Sequence, residues 1–196
     1  MDRNFKFKAA DQPDPIYFEQ IFAEKPGGGI LANPDFDVLK STAVGKNAEG
    51  KIVPIKAYRL IEAAEDDATT IKIAKGSGVK KGDILATGRI GVACTKVDTE
   101  TSPDYDVVTV TLGIAIEAGK VLYQSKVASV DVDPDKGITE AVDAEPFVKP
   151  LYILGTFVPA NEGDFEVRLI NGANLRKETA NVADEVVALM KSIDLV

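Results

Sequence analysis

The chain has no histidine and no tryptophan, one cysteine, two methionines, and no apolar run long enough to cross a membrane. Each shortage removes a class of chemistry. Without histidine there is no ordinary general acid–base group near neutral pH, no imidazole metal ligand, and no Ser-His or Cys-His nucleophile pair. A lone Cys94 forms no intrachain disulfide, so nothing points to an oxidising compartment. It stands in the alternating apolar run Ile90-Gly-Val-Ala-Cys-Thr, which predicts a small buried hydrophobe in a strand rather than a reactive thiol. Basic residues are also in the minority, 23 against 31 acidic, for a net charge of −8. Phosphate backbones repel such a surface, which argues against nucleic acid as a partner. The opening Met1-Asp-Arg-Asn-Phe-Lys-Phe-Lys carries no apolar core after its basic residues, unlike a secretory signal, so synthesis in a cytoplasm and a soluble product, with no membrane partner, are expected.

What the chain does have is a repeat. Ile71-Lys-Ile-Ala-Lys-Gly-Ser-Gly-Val-Lys-Lys-Gly-Asp-Ile-Leu85 and Val108-Thr-Val-Thr-Leu-Gly-Ile-Ala-Ile-Glu-Ala-Gly-Lys-Val-Leu122 align at a constant offset of 37 residues. Gly76 matches Gly113, Gly82 matches Gly119, and Leu85 matches Leu122; Ile71/Val108, Ile73/Val110, Val79/Ile116 and Ile84/Val121 keep β-branched bulk. Each copy reads as a strand, a glycine break, a short strand, and a Gly-led turn into a third strand. The copies carry no metal-ligand pattern and no nucleophile with its base, so the repeat is read as architecture.

From Lys51 onward, short β patterns recur every 8–12 residues between glycine turns, which predicts a β-barrel or sandwich-like body. Arg89–Val97, Tyr105–Leu112, Phe147–Pro159 and Asp164–Ile170 are further strand regions. Ser129–Glu145 reads as an acidic loop. At the C-terminus Val182, Val186, Leu189, Met190 and Ile193 recur at helical spacing behind Thr179 or Asn181 as cap, which predicts an α-helix. The fold class expected is therefore mainly β with an internal strand-turn-strand repeat, a C-terminal α-helix and an irregular N-terminal arm.

The division expected is an arm over residues 1–50 and a β-rich domain over 51–196. The first 36 residues hold six of the 13 aromatics and four of the ten prolines, with Gly27-Gly28-Gly29 among them. A short helix over Pro15–Ala23, capped by Asp14, is expected there. Such a segment either wraps its own body or docks on a partner. The triple glycine, read as a hinge, favours docking, with Phe5, Phe7, Tyr17, Phe18 and Phe22 as partner-binding residues.

Other candidate chemistry fails on geometry. Asp131-Val-Asp-Pro-Asp-Lys-Gly-Ile-Thr-Glu140 invites a calcium-loop reading, but its glycine falls at position seven and Val142 stands where a bidentate carboxylate must close the cage. Lys81-Gly-Asp83 reads as a solvated hairpin tip. Gly76-Ser-Gly78 lacks the Gly-Lys-Ser/Thr of a phosphate loop. Turns of the Val-x-x-Gly-Asp-Ile-Leu type also occur in lipoyl and biotin carriers, but a Met-Lys-Met setting is absent. No catalytic, cofactor or metal residue is expected.

Tyr105-Asp-Val-Val-Thr-Val-Thr-Leu-Gly113, with Lys81-Gly-Asp-Ile-Leu85 before it and Ala118-Gly-Lys-Val-Leu-Tyr123 after it, resembles head fibre proteins of tailed bacteriophages. The ending Ile170-Asn-Gly-Ala-Asn-Leu-Arg-Lys-Glu-Thr-Ala-Asn181 is similar to the tail of phage capsid decoration proteins. The likeness spans roughly residues 58–196 and is best over 69–123. It implies a non-enzymatic virion component on the capsid surface of a phage or prophage, made in the bacterial cytoplasm. The implied partners are the major capsid protein and further copies of itself, in a trimer, with a host surface glycan as a further candidate. The rival class is a carbohydrate-binding or adhesin-type β module, which commonly uses an exposed tryptophan platform that this chain lacks.

Overall fold

The computed structural model describes residues 15–196. Phe5 and Phe7 lie outside the described residues. The chain folds mainly as β-structure, in two curled sheet systems that share a third core.

The N-terminal strands are β1 (Phe18–Glu24), β2 (Gly29–Leu31), β3 (Ala43–Lys46) and β4 (Ile52–Pro54). The repeat region supplies β5 (Ala57–Arg59), β6 (Thr70–Ala74), β7 (Ile84–Thr87), β8 (Ile90–Ala93), β9 (Lys96–Asp98), β10 (Tyr105–Thr109) and β11 (Val121–Ser125). The C-terminal part adds β12 (Pro150–Leu154), β13 (Phe165–Val167), β14 (Leu169–Leu175), one helical turn α1 (Asp184–Val187) and β15 (Ile193–Leu195).

The outer parts of the chain make one sheet in the order β1-β14-β12-β3-β4-β2-β13, with β15 parallel to β14. Only Arg168 separates β13 from β14, so the path from β14 through β12, β3, β4 and β2 to β13 returns to its own start. Leu31, Val44, Leu154 and Leu169 fill the space it encloses, all fully buried.

The repeat forms the second system. Its two sheets, β6-β10-β9 and β5-β11-β7-β8, are joined at both ends by strands that bend from one to the other. On one side the Leu60 amide donates to Lys120 O in β11's approach, and the next amide, Ile61, donates to Lys72 O of β6. On the other, the Cys94 amide donates to Asp83 O and Thr95 to Thr109 O of β10. A closed six-membered ring of strands results, without free edges inside it.

The two copies are related by a local two-fold axis. In the antiparallel pair of β6 and β10, Ile71 lies opposite Val108; in the pair of β7 and β11, Ala86 lies opposite Tyr123. Both pairs are 37 apart, so each residue faces its own counterpart. The joining hydrogen bonds extend the equivalence to Leu60 and Cys94. Ten of the twelve residues in this core are then counterpart pairs: Leu60/Cys94, Ile71/Val108, Ile73/Val110, Val79/Ile116 and Leu85/Leu122. The repeat is the core. Gly82 and Gly119 turn the chain at equivalent points with φ of 93° and 81°, a conformation that L side chains adopt at a cost.

Between the two systems lies the third core, where Ala57, Val121 and Tyr123 from the repeat meet Ile153, Ile170 and Leu175 from the larger sheet. Val182, Val186, Met190 and Ile193 close it.

Several expectations are corrected. Pro15–Ala23 is not helical: β1 pairs antiparallel with the side of β14, which sequence periodicity cannot reveal. Gly27–Gly29 forms the β1–β2 turn and the start of β2 rather than a hinge, and β1 to β3 belong to the larger sheet, so the described part of 1–50 is not irregular. The C-terminal helix is a single turn capped at Ala183. Both expected caps are engaged elsewhere: Thr179 Oγ1 donates to Ile16 O, and Asn181 Nδ2 donates to Thr42 Oγ1 at 2.9 Å. Ile193 lies in a strand because β14 offers it a partner, and Leu189 is exposed. The short middle strand expected in each copy is absent. Val79 and Ile116 are buried in irregular chain between left-handed glycines, and Ile116 makes only an isolated bridge to Ala64.

Candidate partner-binding surfaces

Among the expected partner-binding residues, Tyr17 precedes β1, and its carbonyl accepts from the Arg176 amide at 3.0 Å. Phe18 packs with Ile21 against the shared core. Phe22 is 54% exposed, with one ring edge over Gly172, where a Cβ would come within 2.8 Å of the ring. The structure thus turns Phe18 inward and Phe22 outward along one strand, as the two-residue period of a pleated strand allows when bulges shift the register.

Lys81 and Gly82 are exposed in a turn, as expected, but Asp83 is not solvated. Asp83 Oδ2 accepts from Lys56 Nζ at 2.8 Å, from the Lys80 amide at 3.0 Å and from the Tyr58 hydroxyl at 3.1 Å. The Lys56 and Asp83 side chains are only 10% and 14% exposed. The Phe36 ring lies 5.5 Å from Lys56 Nζ, and Asp35 pairs with Lys80, so this cluster fastens the leading segment to the repeat. Burial, with the Asp83 charge second, holds the Tyr58 phenol well above its ordinary range. The counterpart of Asp83 is Lys120, which pairs with Asp184 at 3.0 Å and Glu185 at 3.1 Å of α1. One site with opposite sign in the two copies therefore ties each end of the chain to the repeat. Cys94 is buried, its thiol donates to Lys80 O at 2.9 Å, and desolvation pushes its pKa up. Its role is packing.

The acidic segment is a hairpin, not a loop. Val130 and Val142 exchange backbone hydrogen bonds of 2.9 and 2.7 Å, Asp133 bridges Ile138, and a 3-10 turn at Pro134–Lys136 forms the tip. Asp133 accepts from the Lys136 amide and pairs with its ammonium, a capping role rather than a ligand role. Among the described residues, no group of three or more His, Cys, Asp or Glu side chains is placed to hold a metal ion. Val130, Val132 and Val142 are 36%, 55% and 43% exposed, and the paired Val130 and Val142 lie side by side across the hairpin. Exposed apolar side chains close together on a surface are a feature that partner contacts commonly use.

Beside the hairpin's base is a groove of about 860 Å³. Phe147 and Leu189, 43% and 58% exposed, are apolar residues of its lining. Lys46, Lys126 and Lys149 line it, and none of the three has an ion-pair partner among the described residues. The sequence signal was available in the alternating valines of Ser129–Val142, although the high aspartate content made the segment read as a loop. The groove had no such signal, because its lysines come from β3, the chain after β11 and the approach to β12.

No family model matches the chain, and no curated protein and no solved structure matches it.

Proposed function

We propose that the chain is a non-enzymatic structural protein of a tailed phage or prophage virion, a head fibre or decoration protein displayed on the capsid as a trimer. The observation that carries this reading is where the resembling motifs lie. Lys81–Leu85, Tyr105–Gly113 and Ala118–Tyr123 include strands and turns of the two-fold ring, and Ile170–Asn181 runs from the shared core toward α1. The likeness therefore falls on the elements that set the architecture, as expected for kinship through a displayed scaffold rather than through a reactive site. The exposed Val130, Val132 and Val142 and the lysine-lined groove supply surface for contacts with other chains.

The test is co-sedimentation of purified protein with capsid particles recovered from the lysate of the strain that encodes it. Saturable binding at a fixed ratio to the capsid subunit is expected. Particles that pellet without the protein, together with selective binding on a glycan array, would favour the adhesin reading instead.

A further inference from the structure

The cations of this acidic chain are unevenly served. Lys56, Lys72, Lys80, Lys120, Arg168 and Arg176 each hold a carboxylate. Lys46, Lys126 and Lys149 hold none among the described residues, although acidic residues outnumber basic ones 31 to 23. All three are exposed and line the groove of about 860 Å³, where Glu145 is the one carboxylate. Phe147 and Leu189 stay 43% and 58% exposed in the same lining, so the 129–143 hairpin leaves the groove open in this fold.

The lining is held in place by the fold itself. Asn47 Oδ1 accepts from the Glu49 and Lys51 amides, both at 3.0 Å, which fixes the turn beyond Lys46. The Lys126 amide donates to Glu145 O at 2.8 Å and the Phe147 amide to Gln124 O at 2.9 Å, so the chain after β11 and the approach to β12 run as one ladder. Gly45 admits the Lys149 carbonyl beside β3, where a Cβ would come within 2.2 Å of it. Stretches distant in sequence are thereby fixed side by side, and a surface already ordered lowers the cost of binding. The chemistry that matches it combines carboxylates with apolar side chains. Nucleic acid lacks the second, and the net charge of −8 repels it. Anionic lipid is repelled likewise, and membrane-reading clusters commonly gather about 4–8 basic residues, more than this groove has.

We infer that the groove docks an acidic segment of a second protein that also carries leucine or phenylalanine. Its carboxylates meet Lys46, Lys126 and Lys149, and its apolar side chains lie against Phe147 and Leu189. The inference rests on the proposed function, under which the second protein is the capsid subunit, and it names the chemistry that subunit presents. The lysines set register and encounter rate, and the apolar contact supplies buried area.

The test follows a fluorescein-labelled probe peptide, Glu-Asp-Leu-Glu-Phe-Asp-Leu-Glu, by anisotropy with the full chain, beside the co-sedimentation with capsid particles. Saturable binding is expected for the wild type, weakened about tenfold or more in Lys126→Glu/Lys149→Glu and in Leu189→Asp. These three positions are exposed, and unchanged melting curves establish that each variant is folded. The same peptide with serine in place of leucine and phenylalanine should bind about tenfold more weakly, and salt near 1 M should weaken the parent peptide by screening. Capsid particles should lose the double variant in the same way. The inference is overturned if the peptide does not bind the wild type at roughly 1 mM, if the variants bind like the wild type, or if the serine peptide equals its parent. Flotation of the wild type, but not the double variant, with phosphatidylserine vesicles assigns the groove to a membrane and also overturns it. Self-association that the double variant loses does the same, assigning the groove to a second copy. The two proposals fail separately. Particles that bind wild type and double variant equally remove the groove inference alone, while a protein that binds the peptide as expected and ignores particles removes the virion reading alone.

Discussion

Replacing Asp83 with Asn tests whether the Lys56–Asp83 cluster fastens the leading segment to the repeat. The shape of the side chain is kept, and the amide oxygen can still accept from Tyr58 and the Lys80 amide. What is lost is the countercharge of Lys56, a residue 8% exposed. Removing one partner of a buried pair commonly costs about 3–5 kcal/mol, because a charge is left uncompensated. Here each side chain retains some contact with water and the Phe36 ring still faces the ammonium, which places the expected cost at about 2–3 kcal/mol. For a chain of this length about 1 kcal/mol moves the melting midpoint by ~2–4 °C, so a drop of roughly 5–10 °C is expected by calorimetry or circular dichroism. A double-mutant cycle sharpens the test. Lys56→Met/Asp83→Asn removes the stranded charge and should melt above Asp83→Asn alone, a non-additive result. Additive effects, or Asp83→Asn melting within about 2 °C of the wild type, would refute the reasoning.

Leu85→Ala and Leu122→Ala occupy counterpart positions, both fully buried, so each should cost about 2–5 kcal/mol by chemical denaturation, and the two costs should agree within roughly a factor of two. Gly78→Ala should destabilise the protein and expose Phe36 to a hydrophobic dye, since Gly78 has φ of 68° and an added Cβ would lie 2.3 Å from Phe36 Cγ. Alkaline titration has a definite sign. Burial raises the Tyr123 phenol to about 12 and holds Tyr58 well above its usual range, so the folded state keeps protons that the unfolded chain releases near pH 10. Stability is then fully present below about pH 10 and is lost as pH rises toward 12, and two of the five tyrosines should ionise in absorbance at 295 nm only as the protein unfolds.

The repeat was legible because its equivalent positions share residue type, and the same positions form the core of the ring. The offset of 37 even contained the pairing, since Ile71 and Val108 face one another. Sequence could not show that the copies interlock instead of stacking, because pairing between distant strands leaves no local periodicity. Elements at the chain ends were misread for a related reason. Phe18–Glu24 and Ile193–Leu195 are strands because β14 is there to receive them. Helical spacing from Val182 to Ile193 is real in the residues, but only Asp184–Val187 completes a helical turn. Asp83 looked like a turn residue, and Lys56, its partner 27 positions earlier, carried no signal linking the two.

The most direct measurement of the central claim is where the protein resides. Particles released from the strain that encodes the chain can be labelled with gold-conjugated antibody and imaged by electron microscopy. Label distributed over the capsid surface of tailed particles is the expected result. Unlabelled capsids, with the antigen confined to the cell envelope or to the particle-free fraction, would contradict it.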